Sequence, residues 1–166
     1  LKSIENFQFG ASVQIAAQKA VDADPEAAFA HYLLAAATFV PAQARPHMEK
    51  ALELARKGSA AELRYIEAAS LVQTQKADEA IPILNELSTR YPKERLVQVM
   101  LGQIYTNQRK FDQAKAALEK AIALDNSTPR AYALLGNVYL FRDEYAKARE
   151  MFTLSIGKSN SGTVTS

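Results

Sequence analysis

Residues 129–157 read PRAYALLGNVYLFRDEYAKAREMFTLSIG, and this stretch sets the period of the sequence. Its Leu-Gly-x-x-Tyr motif at 135–139 recurs 34 residues earlier, at 101–105. Three further pairs of similar residues are also 34 positions apart, namely Tyr145 and Phe111, Ala148 and Ala114, and Phe152 and Leu118. A period of 34 residues predicts an array of similar units that stack on one another.

The period extends toward the N-terminus with decreasing clarity. Residues 61–94 are in phase with the later copies, whereas the register of residues 28–60 is ambiguous, because Pro41 and Pro46 imply a shortened or displaced second helix. We expect one repeat domain over residues 1–157, followed by a flexible tail or linker over residues 158–166. The repeats predicted within the domain are 1–27 (partial), 28–60 (divergent), 61–94, 95–128 and 129–157.

Each repeat is predicted to be a pair of helices. In residues 95–124 apolar side chains recur every three or four positions, which is the spacing of one helix face. Turns are predicted at 107–110 and 142–144, between the two helices of a pair. Gly102 and Gly136 are small enough to let paired helix axes approach to roughly 8–10 Å. With only six glycines and six prolines in the chain, the fold class is predicted to be all-α.

Local signals mark where helices begin. Ser59 and Glu62 have the spacing of a capping box, in which the hydroxyl of the first residue accepts a hydrogen bond from the backbone N–H of the second. Asp24-Pro25 and Thr128-Pro129 are each predicted to be an N-cap followed by proline at the first helical position.

The motif at 135–139, followed by Ala-x-x-x-Phe at 148–152, resembles the signature of the tetratricopeptide repeat family. Tyr132 stands where that family prefers tryptophan. The resemblance implies an all-α, right-handed superhelical solenoid of antiparallel helix pairs, whose first helices line a concave, ligand-binding face. Residues 59–68 are similar to linkers in bacterial arrays of this family, so we expect a bacterial protein.

The resemblance also implies which residues line the binding groove. These are Tyr32, Tyr65, Met100, Gln103, Asn107, Arg130, Asn137 and Phe141. Such a surface is neutral and partly aromatic, and it suits an extended or helical protein segment whose backbone amides bond to Gln103 and Asn137. The alternative for the apolar and aromatic members is packing between adjacent helices.

Composition excludes several classes of partner. The formal net charge is +2, from 20 basic and 18 acidic residues, which argues against nucleic acid as a partner. No apolar run approaches the length of about 18 residues that a membrane-spanning helix needs, so we expect a soluble protein with no membrane insertion. The compartment, cytoplasmic or periplasmic, stays open. Because the chain starts at Leu1 instead of Met, a segment ahead of it is also an open alternative.

The sequence offers no catalytic constellation. The chain has no cysteine, and its two histidines, His31 and His47, have no acidic residue at ligand spacing on the same predicted helix face. We expect His31 to be partly buried and His47 to be solvated near a helix start. No cofactor, metal site or enzymatic activity is therefore predicted.

Two functions remain. The first is a non-catalytic scaffold that binds a protein or peptide on the concave face of the array. The alternative is an oligomerisation or spacer module of a larger, signalling or regulatory protein. The outer face of the last helix pair, which includes Met151 and Leu154 and lacks a following cap helix, favours that alternative and makes a homo-oligomer one of the expected assemblies.

Overall fold

The computed structural model describes the backbone of residues 2–161 and the side chains of residues 13–159. Within residues 2–161 every regular element is a helix, which confirms the all-α prediction. The helices are α1 (Lys2–Ala23), α2 (Ala28–Ala37), α3 (Pro41–Ala55), α4 (Ala60–Gln73), α5 (Ala77–Arg90), α6 (Arg95–Asn107), α7 (Phe111–Leu124), α8 (Pro129–Phe141) and α9 (Tyr145–Ser161). The chain forms two compact units, Leu1–Thr74 and Gln75–Ser166.

The first unit contains α1 to α4 and has two buried clusters. Ala17, Val21 and Leu34 join α1 to α2. The larger cluster joins α2, α3 and α4, and small side chains dominate it: Ala51 is completely buried and Ala35 nearly so. Since alanine adds little bulk, neighbouring helices can approach closely, as the sequence pattern requires.

In the second unit, which contains α5 to α9, the motif residues that recur after 34 positions make equivalent packing contacts. A Cβ atom on Gly102 would lie 2.5 Å from Cγ of Leu118, and one on Gly136 would lie 2.7 Å from Cε1 of Phe152. Each glycine therefore removes a clash between the first and second helix of its pair. Ala114 is also completely buried, as expected of a small residue at a close helix contact.

The turns inside the helix pairs repeat the same backbone conformation. Arg109 has a φ of 58° and Asp143 one of 59°, exactly one repeat apart. Both follow the last turn of a first helix: the N–H of Lys110 bonds to the carbonyl of Tyr105, and that of Glu144 to the carbonyl of Tyr139. This arrangement is a Schellman motif, which satisfies carbonyl groups that the end of a helix leaves free.

A polar contact between successive pairs also repeats with the period. The amide Nε2 of Gln108 donates to Oδ1 of Asp78 over 2.9 Å. One repeat later, the guanidinium of Arg142 donates to Oδ1 of Asp112. In both cases the residue that follows a first helix bonds to the start of the second helix of the preceding pair, so the period specifies contacts between pairs as well as within them.

Of the three predicted helix starts, the structure agrees with two and contradicts one. Ser59 is the N-cap of α4, and its hydroxyl accepts the N–H of Glu62, as predicted. Pro129 is the first residue of α8, also as predicted, although Thr128 makes no side-chain capping bond. The prediction for Asp24-Pro25 is wrong, because α2 begins only at Ala28. Oδ1 of Asp24 accepts the N–H of Glu26 instead, which holds this segment in a turn.

Helix α9 continues beyond residue 157, the predicted end of the repeat domain, as far as Ser161. A glycine inside a helix costs only about 1 kcal/mol relative to alanine, so Gly157 does not stop the helix. The hydroxyl of Ser159 bonds to the carbonyl of Ser155 one turn earlier. Residues 162–166 of the predicted tail lie outside the described residues.

The cap of α4 gives a direct test of local stability. We expect Ser59→Ala to lower the free energy of unfolding by about 1 kcal/mol, because the N–H of Glu62 loses its acceptor. Ser59→Asp is the matched control, since a carboxylate also accepts this bond. Urea denaturation measures both variants, and equal losses in the two would show that capping is not the cause.

Candidate functional site

Most of the predicted groove residues in the second unit lie along the first helices α6 and α8. Gln103 and Asn107 are one helical turn apart on α6, and Asn137 and Phe141 occupy the equivalent positions on α8. The guanidinium of Arg130 donates to Oε1 of Gln103 and so joins the two helices. Asn107, Arg130 and Phe141 are exposed, and Gln103 and Asn137 are partly exposed. We call these five residues the α6/α8 surface.

Phe141 is the most prominent apolar group of the α6/α8 surface, with half of it exposed. Its ring stacks on Phe111, with the ring centroids 5.9 Å apart. The guanidinium of Arg109 lies 5.6 Å from the centroid of the Phe141 ring, within the range of a cation–π interaction. These contacts hold the ring in place while half of the residue remains exposed to solvent.

Met100 does not belong to this exposed surface. Only 8% of the residue is accessible, and the neighbouring Val99 is buried against Ala131 and Leu134 of α8. For Val99 the structure matches the alternative of packing between helices, and Met100 is buried as well. The physical reason is that adjacent first helices touch at this level, so an apolar side chain between them is covered.

In the first unit, Tyr32 and Tyr65 form an aromatic cluster with Phe29. The two tyrosine rings meet edge to face with their centroids 5.6 Å apart, and the centroids of Phe29 and Tyr32 are 5.2 Å apart. Both tyrosines are partly buried. The structure thus brings together two predicted groove residues, and it adds Phe29, which the search for groove positions missed although it lies one turn from Tyr32 in the sequence.

The first unit also has a groove of about 550 Å³ where the ends of α2 and α4 meet the start of α3. Its walls include the small residues Ala35 and Ala44, the partly buried Leu52, and the polar residues Arg45 and Gln73. The sequence could not place this groove, because the register of residues 28–60 was ambiguous.

His31 and His47 meet across the α2–α3 pair. Their Nδ1 atoms are 3.4 Å apart, and Nε2 of His31 lies 3.0 Å from the carbonyl oxygen of Pro25. His31 is buried, and His47 is partly exposed near the middle of α3. The expectation of a solvated His47 near a helix start is therefore wrong. The signal in the sequence was their separation of 16 residues, which suits two facing positions of a helical hairpin.

This contact predicts a dependence of stability on pH. Burial, and secondarily the charge of His31, lower the pKa of His47 below its ordinary value. The unfolded chain therefore takes up a proton first as the pH falls, and we expect the free energy of unfolding to decrease between pH 7.5 and 5.5. Urea denaturation at both pH values measures this decrease, and it should be smaller in His47→Gln. An unchanged pH dependence in that variant would contradict the assignment.

Elsewhere in the described part of the chain, charged groups form ion pairs that are at least partly exposed to solvent. The Arg142 guanidinium lies between Asp112 and Glu144, and Lys147 pairs with Glu144. A hydrogen bond from Lys147 is the main reason that the pKa of Glu144 is lowered. Among the residues that the structure describes, no group of three or more His, Cys, Asp or Glu side chains is arranged to hold a metal ion. Over the same part of the chain, no helix is long and apolar enough to cross a membrane.

Comparison with known families agrees with the repeat in the fold. A model described as a TPR repeat matches residues 102–140, and a second, described as a tetratricopeptide repeat, matches residues 129–157. Residues 102–157 therefore contain tetratricopeptide repeats. Both matches include the Leu-Gly-x-x-Tyr motif at 135–139 of α8, on which the resemblance was based, and that prediction is confirmed. None of the curated proteins compared with the chain matches it.

Several solved structures of other proteins share the fold. A crystal structure of MamA has a TM-score of 0.63 and 21% sequence identity, over 92% of this chain and 90% of that one. YrrB, titled a TPR protein with an unusual peptide-binding site, has a TM-score of 0.56 and 21% identity, over 95% and 81%. PilF of Pseudomonas aeruginosa has a TM-score of 0.55 and 25% identity, over 94% and 72%. The last of these comes from a bacterium, in line with the expected bacterial source.

Proposed function

We propose that this tetratricopeptide repeat protein is a non-catalytic scaffold that binds a segment of another protein on the α6/α8 surface. The observation that carries the proposal is the exposed ring of Phe141 beside the partly exposed amide of Asn137. A rigid aromatic ring supplies contact area at small entropic cost, and an amide both donates to and accepts from a peptide backbone.

The positive charges of this surface also favour one kind of bound protein segment. Arg130 bonds to the neutral amide of Gln103, and Arg109 lies over the Phe141 ring. The Arg109 guanidinium thus places a positive charge at the exposed ring, which favours a segment of mixed polarity that carries a carboxylate. Proteins built from tetratricopeptide repeats are typically non-catalytic scaffolds, which favours binding over catalysis at this surface.

A display library of random peptides, selected against the whole chain, tests this function. We expect the selected peptides to bind at least tenfold more weakly to Phe141→Ala and to Asn137→Ala than to the natural chain. Tyr145→Ala and Asn126→Ala are matched controls, since they remove an exposed aromatic ring and an exposed amide outside the α6/α8 surface. Equal affinity for all four variants would exclude this surface as the binding site.

A second candidate function rests on the apolar outer side of α9. Leu154 is 37% exposed, and Met151, one helical turn earlier on the same face, is partly exposed. A further repeat, or another molecule, would cover such side chains in an oligomerisation or spacer module. Light scattering of the chain at high concentration tests self-association, and a monomer at every concentration would exclude the homo-oligomer.

A further inference from the structure

Helix α9 exposes the side that its counterpart one repeat earlier, α7, packs against α8. Ile122 of α7 and Leu134 of α8 pack against one buried cluster that includes Ala131 of α8. Ile156 occupies the position of Ile122 one repeat later, and 63% of it is exposed. We propose that this side of α9 binds one amphipathic helix of another protein, which lies on α9 as α8 lies on α7.

An aromatic ring at the start of α9 repeats this difference in exposure. The ring of Phe111, at the start of α7, stacks on Phe141 of α8. Tyr145 follows Phe111 by one repeat and is 63% exposed, whereas Phe111 is partly buried. The hydroxyl of Tyr145 donates to Oδ1 of Asp143 over 2.6 Å, which holds the ring in place. Tyr145 and Ile156 are about three helical turns apart, so they lie on one side of α9, which we call the α9 face.

The repeat also specifies the side chains of the bound helix. The residues of α8 that pack toward α7 include Ala131, Leu134 and Phe141. The bound helix therefore needs a small residue, an aliphatic residue three positions later and an aromatic residue seven positions after that. Such spacing places all three side chains along one side of a helix, as in helices that bind to apolar grooves.

Charge adds a fourth position to this pattern. The pKa of Glu144, just after α8, is lowered mainly by a hydrogen bond from Lys147, and the positive charge of Lys115 on α7 contributes. Arg149 follows Lys115 by one repeat and is exposed on α9. An acidic residue three positions after the aromatic residue of the bound helix would therefore be attracted to Arg149.

The α9 face is separate from the side of α9 that carries Leu154. Two residues turn a helix by about 200°, so Leu154 and Ile156 lie on nearly opposite sides of it. A chain that stays monomeric can therefore still bind a helix on the α9 face, and self-association through Leu154 leaves this face open.

A helical peptide with the sequence of residues 129–144 tests the α9 face, because it carries all four positions of the pattern. A lactam bridge between positions 133 and 137, which are outside the pattern, keeps this short peptide helical. We expect fluorescence anisotropy to show that the peptide binds the whole natural chain. The same peptide with Leu134→Asp should not bind, because a carboxylate replaces the aliphatic contact.

Variants of the chain locate the bound peptide. We expect at least about tenfold weaker binding by Ile156→Ser and by Tyr145→Ala, since each removes one apolar contact of the α9 face. Ile15→Ser is the matched control, because Ile15 is 58% exposed and lies on α1. Peptides selected for the α6/α8 surface should not displace the helical peptide, so the two functions can fail independently.

Three results would overturn the proposal. The first is no binding of the helical peptide at concentrations up to about 1 mM. The second is equal affinity of the peptide for the natural chain, Ile156→Ser and Tyr145→Ala. The third is self-association of the natural chain that Ile156→Ser abolishes, which would identify a second copy of the chain as the occupant of the α9 face.

Discussion

Replacing Leu118 with alanine is expected to lower the free energy of unfolding by about 2–5 kcal/mol. Leu118 is completely buried in the second unit, in a cluster with Leu135 and Tyr139. Its Cγ and Cδ2 atoms occupy the space next to Gly102, which has no side chain to fill a cavity there. Urea denaturation followed by circular dichroism measures the loss.

Leu124→Ala is the matched control for this change, since it removes the same atoms from the same helix at a site that is 37% exposed. Its loss should be less than half as large, because less apolar surface returns to water and no closed cavity forms. Equal losses in the two variants would mean that the contact between Gly102 and Leu118 does not limit stability.

The second large effect is expected from the opposite change, Gly102→Ala. Alanine favours a helix by about 1 kcal/mol relative to glycine, so this substitution stabilises most exposed helical sites. Here the new methyl group would lie 2.5 Å from Cγ of Leu118, an atom close to the backbone of a buried residue. Overpacking of about 1–3 kcal/mol should exceed the gain, and we expect a net loss of about 1–2 kcal/mol.

Gly157→Ala is the control for Gly102→Ala, because a Cβ atom at that helical position meets no other atom within 4 Å. It should stabilise the chain by up to about 1 kcal/mol. The two alanine substitutions are thus expected to have opposite signs. A gain at both positions would contradict the close contact between α6 and α7.

The two large effects should not be additive. In a chain with Leu118→Ala, the methyl group of Gly102→Ala enters space that the leucine has vacated, so its penalty should disappear. A double-mutant cycle should give a coupling free energy of about 1–3 kcal/mol, as is usual for residues in direct contact. Additive losses would show that the two positions do not share this space.

The sequence predicted the contacts that depend on the period. The Gly102–Leu118 and Gly136–Phe152 contacts follow from the 34-residue spacing, because equivalent residues of stacked repeats must have equivalent surroundings. The same argument predicted the turns around Arg109 and Asp143. Ser59 was predicted as a cap from local chemistry alone, since the capping box requires only a hydroxyl three residues before a glutamate.

The features of the fold and of the candidate site that the sequence did not predict depend on contacts that no local sequence pattern encodes. The meeting of His31 and His47 requires the register of the α2–α3 hairpin, which Pro41 and Pro46 obscured. Predicting the burial of Met100 requires knowledge of how closely other helices pack around α6. From the sequence alone, an apolar residue at a predicted groove position is equally consistent with packing and with exposure. The late start of α2 follows from the Asp24 side chain, which stabilises a turn as readily as a helix start.

The left-handed residues at Arg109 and Asp143 bear on how such a chain can change in length. The turns that follow α6 and α8 have the same backbone geometry. Duplication of a 34-residue block ending at residue 128 should therefore add one complete helix pair without disturbing the neighbouring pairs. Insertion of one residue inside α8 would instead rotate every later side chain of that helix by about 100° and misplace the Gly136 contact. Viable length variants should therefore differ by whole repeats.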